Sequence, residues 1–166
     1  MTATTGLRVG VADLLRRPGA RRPVRLDAAV GGLTNGVARV DAPLYLDLLL
    51  ERVPDGVVAR GSVEGVLEAS CSRCLRPVSR RLSVHLDELF EPEPLEGETY
   101  PITAQGIDLD QAVRDNLVLE LPAAPLCHPG CRGLCPWCGS DRNERDCDCE
   151  TEPPDSRWAA LGSLDL

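Results

Sequence analysis

The sequence predicts an α+β fold: an antiparallel β-sheet, one main helix and a C-terminal cysteine-rich zinc-binding region. Three observations lead there. Long segments in the first half alternate apolar and polar residues with period two, as strands packed on one face do. One helix-period segment follows them without strand–helix alternation, which argues against a parallel βαβ layout. Eight cysteines then fall in closely spaced groups on either side of that helix. At 166 residues the chain fits one structural unit. It divides into a β-rich part, residues 1–126 with a helix at 109–120, and a zinc-knuckle and ribbon region, 127–166, packed on it.

Leu7–Val11 reads as a short strand that runs into Ala12–Arg17 and a turn at Pro18-Gly19. A second apolar–polar stretch, Pro23–Val30, ends at Gly31-Gly32, and Asn35-Gly36 marks another turn. In Pro43–Val53 the residues Leu44, Leu46, Leu48 and Leu50 share one face. In Val57–Ala69 the apolar face is Val57, Ala59, Gly61, Val63, Gly65 and Leu67, opposite Arg60, Ser62 and Glu64. In Val78–Phe90, Leu82, Val84 and Leu86 alternate with Arg81, Ser83, His85 and Asp87. Pro54-Asp55-Gly56 joins the first two of these strands as a hairpin.

Residues 91–106, acidic and rich in Pro and Gly, read as a mobile loop. Asp108 with Gln111 three residues on resembles a capping box. The helix it starts runs from Leu109 to Glu120, buries Leu109, Ala112 or Val113, and Asn116 or Leu117, and stops before Pro122. Ser156–Leu164 reads as a short final helix capped at Asp155 or Ser156.

Aromatics make up 3% of the chain, so the core must be built mainly from Leu, Val and Ala. All 18 basic residues are arginine, a composition we read as coding bias rather than function. The net charge of −8 argues against a nucleic-acid binder along the whole sequence. Its distribution is uneven: residues 1–40 hold seven arginines against two aspartates, whereas 91–126 hold one arginine against eight acids. No stretch approaches the ~18 apolar residues of a membrane span, and no secretory signal is visible at the start. The expectation is therefore a cytoplasmic protein with reduced thiols, in which metal ligation explains the cysteines better than disulfides.

The cysteines form three groups: Cys71 and Cys74 in CSRC, Cys127, Cys131, Cys135 and Cys138 in CHPGCRGLCPWCG, and Cys147 and Cys149 in CDC. A C-x2-C turn brings two thiolates to one ion, and zinc takes four in a tetrahedron, so eight cysteines make one or two Zn²⁺ sites. The preferred partition puts Cys71, Cys74, Cys127 and Cys131 on one ion and Cys135, Cys138, Cys147 and Cys149 on the other. Grouping Cys127, Cys131, Cys135 and Cys138 together is the alternative, and spacing alone does not choose between them. His128 could replace a thiolate as a ligand. A thioredoxin-like reading fails on context, because Cys71–Cys74 lies between two strands rather than in a βαβ unit.

No catalytic residues stand out. There is no Gly-rich phosphate loop and no G-x-S-x-G motif, and a closed four-cysteine site leaves no open position for water. His85, on the polar side of its strand, reads as a surface residue rather than a base. Arginines are the more suggestive feature. Arg73, Arg76, Arg80 and Arg81 flank the first knuckle, and Arg21 and Arg22 belong to an earlier cluster, a candidate phosphate-contacting face.

Five segments come in an order that is familiar: DLLRRPGARRPV at 13–24, CSRCLRPV at 71–78, IDLDQAVRDNLVLELPAAPLC at 107–127, GLCPWCG at 133–139 and RWAAL at 157–161. With these the chain resembles the YceD family, the large ribosomal RNA subunit accumulation proteins, in the cysteine-rich form found in actinobacteria. The resemblance implies a cytoplasmic bacterial protein, without known catalysis, that supports accumulation of large-subunit ribosomal RNA. Its implied partner is that RNA or a pre-ribosomal particle, with a ribosomal protein as an alternative partner, and neither a membrane nor a small-molecule substrate. Many members of the family lack the CDC pair or the CPWCG knuckle, which implies a stabilising role for the metal.

Overall fold

The computed structural model describes residues 7–149 and Arg157. Its spine is three long antiparallel strands, here β4 (Ala38–Arg52), β5 (Val57–Ser70) and β6 (Pro77–Glu91). They form for the reason the alternation gives: Leu44, Leu46, Leu48 and Leu50 of β4, Val57, Ala59, Val63 and Leu67 of β5, and Val84, Leu86 and Phe90 of β6 are all buried on one face. Val53 and Gly56 exchange backbone hydrogen bonds and close the β4–β5 hairpin.

Shorter elements complete the sheet: β1 (Arg8–Val9), β2 (Arg21–Ala28), β3 (Leu33–Thr34), β7 (Tyr100–Thr103) and β8 (Gly106–Asp108). The strand order is β1-β8-β7-β6-β5-β4-β2, with β3 also on β4. Between Asp41 and Tyr45 the pairing with β5 slips from Val66 to Glu64. Four steps on β4 thus match two on β5, an irregularity that accommodates Pro43 and preserves which face is buried.

Two expectations need correction. The sheet is mixed rather than purely antiparallel, because β7 runs parallel to the end of β6 through Phe90↔Tyr100 and Glu91↔Pro101. The acidic segment is also not loop throughout, since β7 and β8 lie at its C-terminal end. Both differences have one cause. After Glu91 the chain turns at Leu95–Thr99, where the amides of Glu98 and Thr99 both donate to the Leu95 carbonyl. It then returns beside Phe90, where the Tyr100 and Phe90 rings pack with centroids 5.4 Å apart. That aromatic contact fixes a pairing too short to leave a period-two signature.

A single-turn helix, α1 (Ala12–Leu15), buries Leu14, and the main helix, α2 (Leu109–Glu120), covers β6, β3 and β1 on the apolar face. Asp108 caps α2 by accepting from the Asp110 amide at 3.0 Å. Gln111 donates to Asp115 instead of reaching back, so the reciprocal half of the capping box is not formed. Leu109, Ala112, Val113 and Leu117 are buried, and Asn116 donates to Glu88 at 2.6 Å. Asn35 Nδ2 donates to the Leu121 and Pro122 carbonyls, which ties the helix end to the β3–β4 turn. The expected helix at Ser156–Leu164 lies outside the described residues.

Gly61 is a position in the middle of the sheet that tolerates no side chain. Its φ is +152°, and a Cβ there would stand 2.0 Å from the Asp47 carbonyl oxygen. Gly61→Ala should lower the free energy of unfolding by about 3 kcal/mol, measured as a fall in the denaturant midpoint. A midpoint equal to that of the parent would contradict the register described here.

Candidate metal centres

The sheet delivers the first cysteine pair. Cys71 and Cys74 lie in the turn between β5 and β6, at the end of the sheet that Leu121 and Pro122 approach from α2. The segment after α2 crosses this turn, with the Ser72 amide donating to the Pro125 carbonyl at 2.8 Å. Cys127 and Cys131 thereby meet the first pair: Cys74 Sγ and Cys127 Sγ are 3.6 Å apart, and Cys71 Sγ and Cys131 Sγ 3.8 Å. Cys135, Cys138, Cys147 and Cys149 form a second group, and within each group all sulfurs lie within 4.8 Å of one another. His128 belongs to neither group.

The spacing fits a metal and not a disulfide. Sulfurs about 2.3 Å from a tetrahedral centre are about 3.8 Å apart, whereas a disulfide needs ~2.05 Å. All eight cysteines are free.

The two C-x2-C turns repeat one local geometry. In the first, the Cys71 amide donates to the Arg76 carbonyl at 2.8 Å and the Leu75 amide to the Cys71 carbonyl at 2.9 Å. In the second, the Cys135 amide donates to the Ser140 carbonyl at 2.8 Å and the Gly139 amide to the Cys135 carbonyl at 2.9 Å. Amides two and three residues on point at the first sulfur of each: Arg73 and Cys74 toward Cys71, Trp137 and Cys138 toward Cys135. Such donors stabilise thiolate.

The thiols respond unequally. Burial raises Cys71, but the amides of Cys74, Cys127 and Arg73 outweigh it and bring the thiol down to about 5. Hydrogen bonds from Ser140 bring Cys138 down to about 6. Burial, with the hydrogen bond to Cys74, pushes Cys127 up to about 12, and the hydrogen bond to Cys138, with burial, does the same to Cys149. Each group can thus give up a first proton readily, while the later ones are held by burial and by hydrogen bonds to neighbouring sulfurs. A divalent cation removes that penalty.

The environments differ as well. Cys71, Cys74 and Cys131 are buried and form a small apolar cluster with Val78, Leu126 and Leu134. In the second group Cys135 is buried, Cys138 is exposed, and Cys147 and Cys149 are half-buried. Asn143 Nδ2 donates to Cys131 Sγ at 3.4 Å and its Oδ1 accepts from the Arg132 amide at 2.8 Å, tying the segment that carries the second cysteine group to the first group.

The six singled-out arginines do not form one face. Arg73 donates to the Cys131 carbonyl at 2.9 Å, and Arg76 grips Asp141 and Glu144. Arg21 pairs with Glu51 at 2.7 Å and Arg22 with Asp13 at 2.9 Å. Arg80 and Arg81 are exposed, and as neighbours on β6 they stand on opposite faces of the sheet. Sequence reasoning missed the structural work of Arg73 and Arg76, and it missed Asn143, whose spacing from Cys131 carries no motif.

Leu75 is the one non-glycine residue with positive φ among the described residues, at 62°, and stands where the second knuckle has Gly139 at 70°. It is 64% exposed, so burial does not offset the strain. Leu75→Gly should therefore raise stability by about 1 kcal/mol, read from thermal or denaturant unfolding of the metal-loaded protein. Destabilisation would show that the leucine makes a contact in the fold that its exposure hides.

Residues 59–165 match the family described as large ribosomal RNA subunit accumulation protein YceD. An uncharacterized protein of Mycobacterium tuberculosis is 37% identical over 172 residues, covering 92% of this chain and 78% of the relative. An uncharacterized protein of Mycobacterium leprae is 36% identical over 141 residues, covering 78% and 64%. The chloroplastic YCED homolog 1 of Zea mays, named a large ribosomal RNA subunit accumulation protein, is 24% identical over 183 residues, covering 89% and 62%. No solved structure matches. Because the family match takes in both knuckles and all eight cysteines, and the mycobacterial relatives align over most of the chain, this protein belongs to the YceD family of large ribosomal RNA subunit accumulation proteins.

Proposed function

We propose that the chain is a non-enzymatic ribosome-biogenesis factor that supports accumulation of large-subunit ribosomal RNA in the cytoplasm and holds two structural zinc ions. The observation that carries this reading is the family match over residues 59–165, which spans the whole cysteine-bearing half of the molecule. Four sulfurs around each centre complete a tetrahedron and leave no position for water or substrate, so the ions staple rather than catalyse. The region after Cys127 then packs on the β-rich part as one unit with it. Its partner is large-subunit RNA or a pre-ribosomal particle.

Among the arginines named from sequence, Arg80 and Arg81 are the ones without an intramolecular partner among the described residues, and they would supply phosphate contacts. Arg22 would exchange an exposed carboxylate and Arg21 a half-buried one for phosphates, while Arg73 and Arg76 act by holding the knuckles. A second reading has one specific support. Glu91, Glu93, Glu96 and Glu98 make an acidic stretch suited to a basic protein such as a ribosomal protein.

Two experiments decide. Elemental analysis of the reduced protein should find two zinc ions per chain and no iron, falling to one in Cys149→Ser. Chelation should collapse the amide dispersion of residues 122–149 while leaving β4, β5 and β6 ordered, because the cysteine-rich lobe has little apolar core beyond Val78, Leu126 and Leu134. Metal-free protein with an unchanged amide spectrum would refute the staple.

For the setting, sedimentation of lysate should place the protein with large-subunit precursors, and Arg80→Glu with Arg81→Glu should reduce that association. Association that survives both substitutions and nuclease treatment would favour the basic-protein partner. Migration as free protein at every salt concentration would contradict a ribosomal role.

A further inference from the structure

We infer that the second knuckle is a single-stranded RNA contact in which Trp137 stacks on an unpaired base while Arg142 and Arg145 meet the adjacent phosphates. The inference rests on the ribosome-biogenesis reading and names the part of the surface that would read RNA.

Trp137 is the first ground. The chain has five aromatic residues outside histidine. Three lie on the sheet: Phe90 is buried in the core, Tyr100 packs against it and Tyr45 is exposed on β4. Trp137 is instead 57% exposed at the tip of the Cys135–Cys138 turn. Its backbone amide points at the Cys135 sulfur, so the metal site uses the main chain of this residue and leaves the indole to solvent. A large exposed ring held on a rigid turn loses little entropy on stacking.

The second ground is what intramolecular pairing leaves over. Between Arg132 and Asp148 the chain carries Arg132, Arg142 and Arg145 against Asp141, Glu144, Asp146 and Asp148. Arg76 of the first knuckle takes up Asp141 and Glu144, and Arg132 takes up Asp146. Arg142 and Arg145 have no carboxylate partner among the described residues. Arg145 is held beside the turn through Ser140 Oγ at 3.3 Å, three residues beyond Trp137. An aromatic tip with one guanidinium held beside its turn and a second, unpaired one nearby in sequence suits unpaired bases better than duplex, whose bases are already stacked. Four thiolates and one dication leave a net charge of about −2 nearby, so stacking rather than long-range attraction must supply most of the binding. That is what distinguishes this surface from a general basic patch.

The test uses the full-length, zinc-loaded chain with Trp158→Phe as background, so that Trp137 is the reporting fluorophore. A 12-nucleotide uridine-rich single strand should quench its emission, and the same sequence in duplex should not. Trp137→Ala should weaken binding about tenfold or more, with the zinc content unchanged because the backbone amide remains. Trp137→Phe should restore most of the affinity. Removing both Arg142 and Arg145 should lower the slope of log affinity against log salt by about 1.4.

Equal binding by Trp137→Ala, or no binding by the parent, would overturn the inference. If the protein still sediments with large-subunit precursors in either case, the biogenesis reading stands without it. If that association survives nuclease but is lost in Trp137→Ala, the surface belongs to a protein partner, which also overturns the RNA assignment.

Discussion

The cysteine-rich lobe meets the sheet through four sulfurs that converge at the end of the β5–β6 hairpin. Cys71, Cys74 and Cys131 are at most 5% exposed, and few apolar side chains surround them. Thiols gain little by meeting in this way, and thiolates repel, so the convergence suits a cation of matching charge and softness. The other links of the cysteine-rich lobe to the sheet gather at the same turn. Ser72 donates to Pro125, Leu134 to Arg73, Arg73 to the Cys131 carbonyl, and Arg76 holds Asp141 and Glu144. These are single contacts between segments far apart in sequence, which a mobile lobe would not keep. They persist because the sulfurs fix the distance over which they act.

The outer face of the sheet obeys a second constraint. Five arginines stand directly opposite carboxylates in the strand register and pair with them: Arg8 with Asp108, Arg21 with Glu51, Arg25 with Asp47, Arg39 with Glu68 and Arg60 with Asp87. Exposed pairs of this kind add little to stability. A one-residue slip would, however, misplace all of them while also turning the leucines outward, so they select the register that burial already favours. The same pairing explains how a chain with a basic front offers few cations to a partner. Arg16, Arg17, Arg80, Arg81 and Arg142 are left without a side-chain partner among the described residues, and charge counting along the sequence gives no hint of which remain.

This bears on what the sequence could reveal. The three spine strands and α2 were legible because their signals are local: alternating leucines and valines, and Asp108 ahead of an apolar face. The parallel β6–β7 pair was not, because two residue pairs anchored by Phe90 and Tyr100 leave no periodicity. The knuckles could be read from Cys-x2-Cys; the preferred grouping of cysteines is the one the fold brings together, yet spacing alone did not choose it, since it depends on where a 14-residue strand carries its far end. Which arginines the knuckles use was hidden for a related reason. A residue on a knuckle points into the turn as readily as away from it, and Arg73 and Arg76 point in.

The two clusters are therefore unequal in rank. The first joins residues 60 apart in sequence, a closure that would cost considerable chain entropy if the sulfurs alone supplied it. The sheet and α2 bear most of that cost beforehand, bringing the hairpin turn and the segment after Pro122 together. The second cluster closes a short stretch, Cys135 to Cys149, on a lobe positioned by the first through Arg76 and Asn143. Losing the second leaves the first with all its ligands and its apolar neighbours. Losing the first removes the platform on which the second is built, so the dependence runs one way. The exposed lobe can then present its turn to a partner without carrying the stability of the sheet.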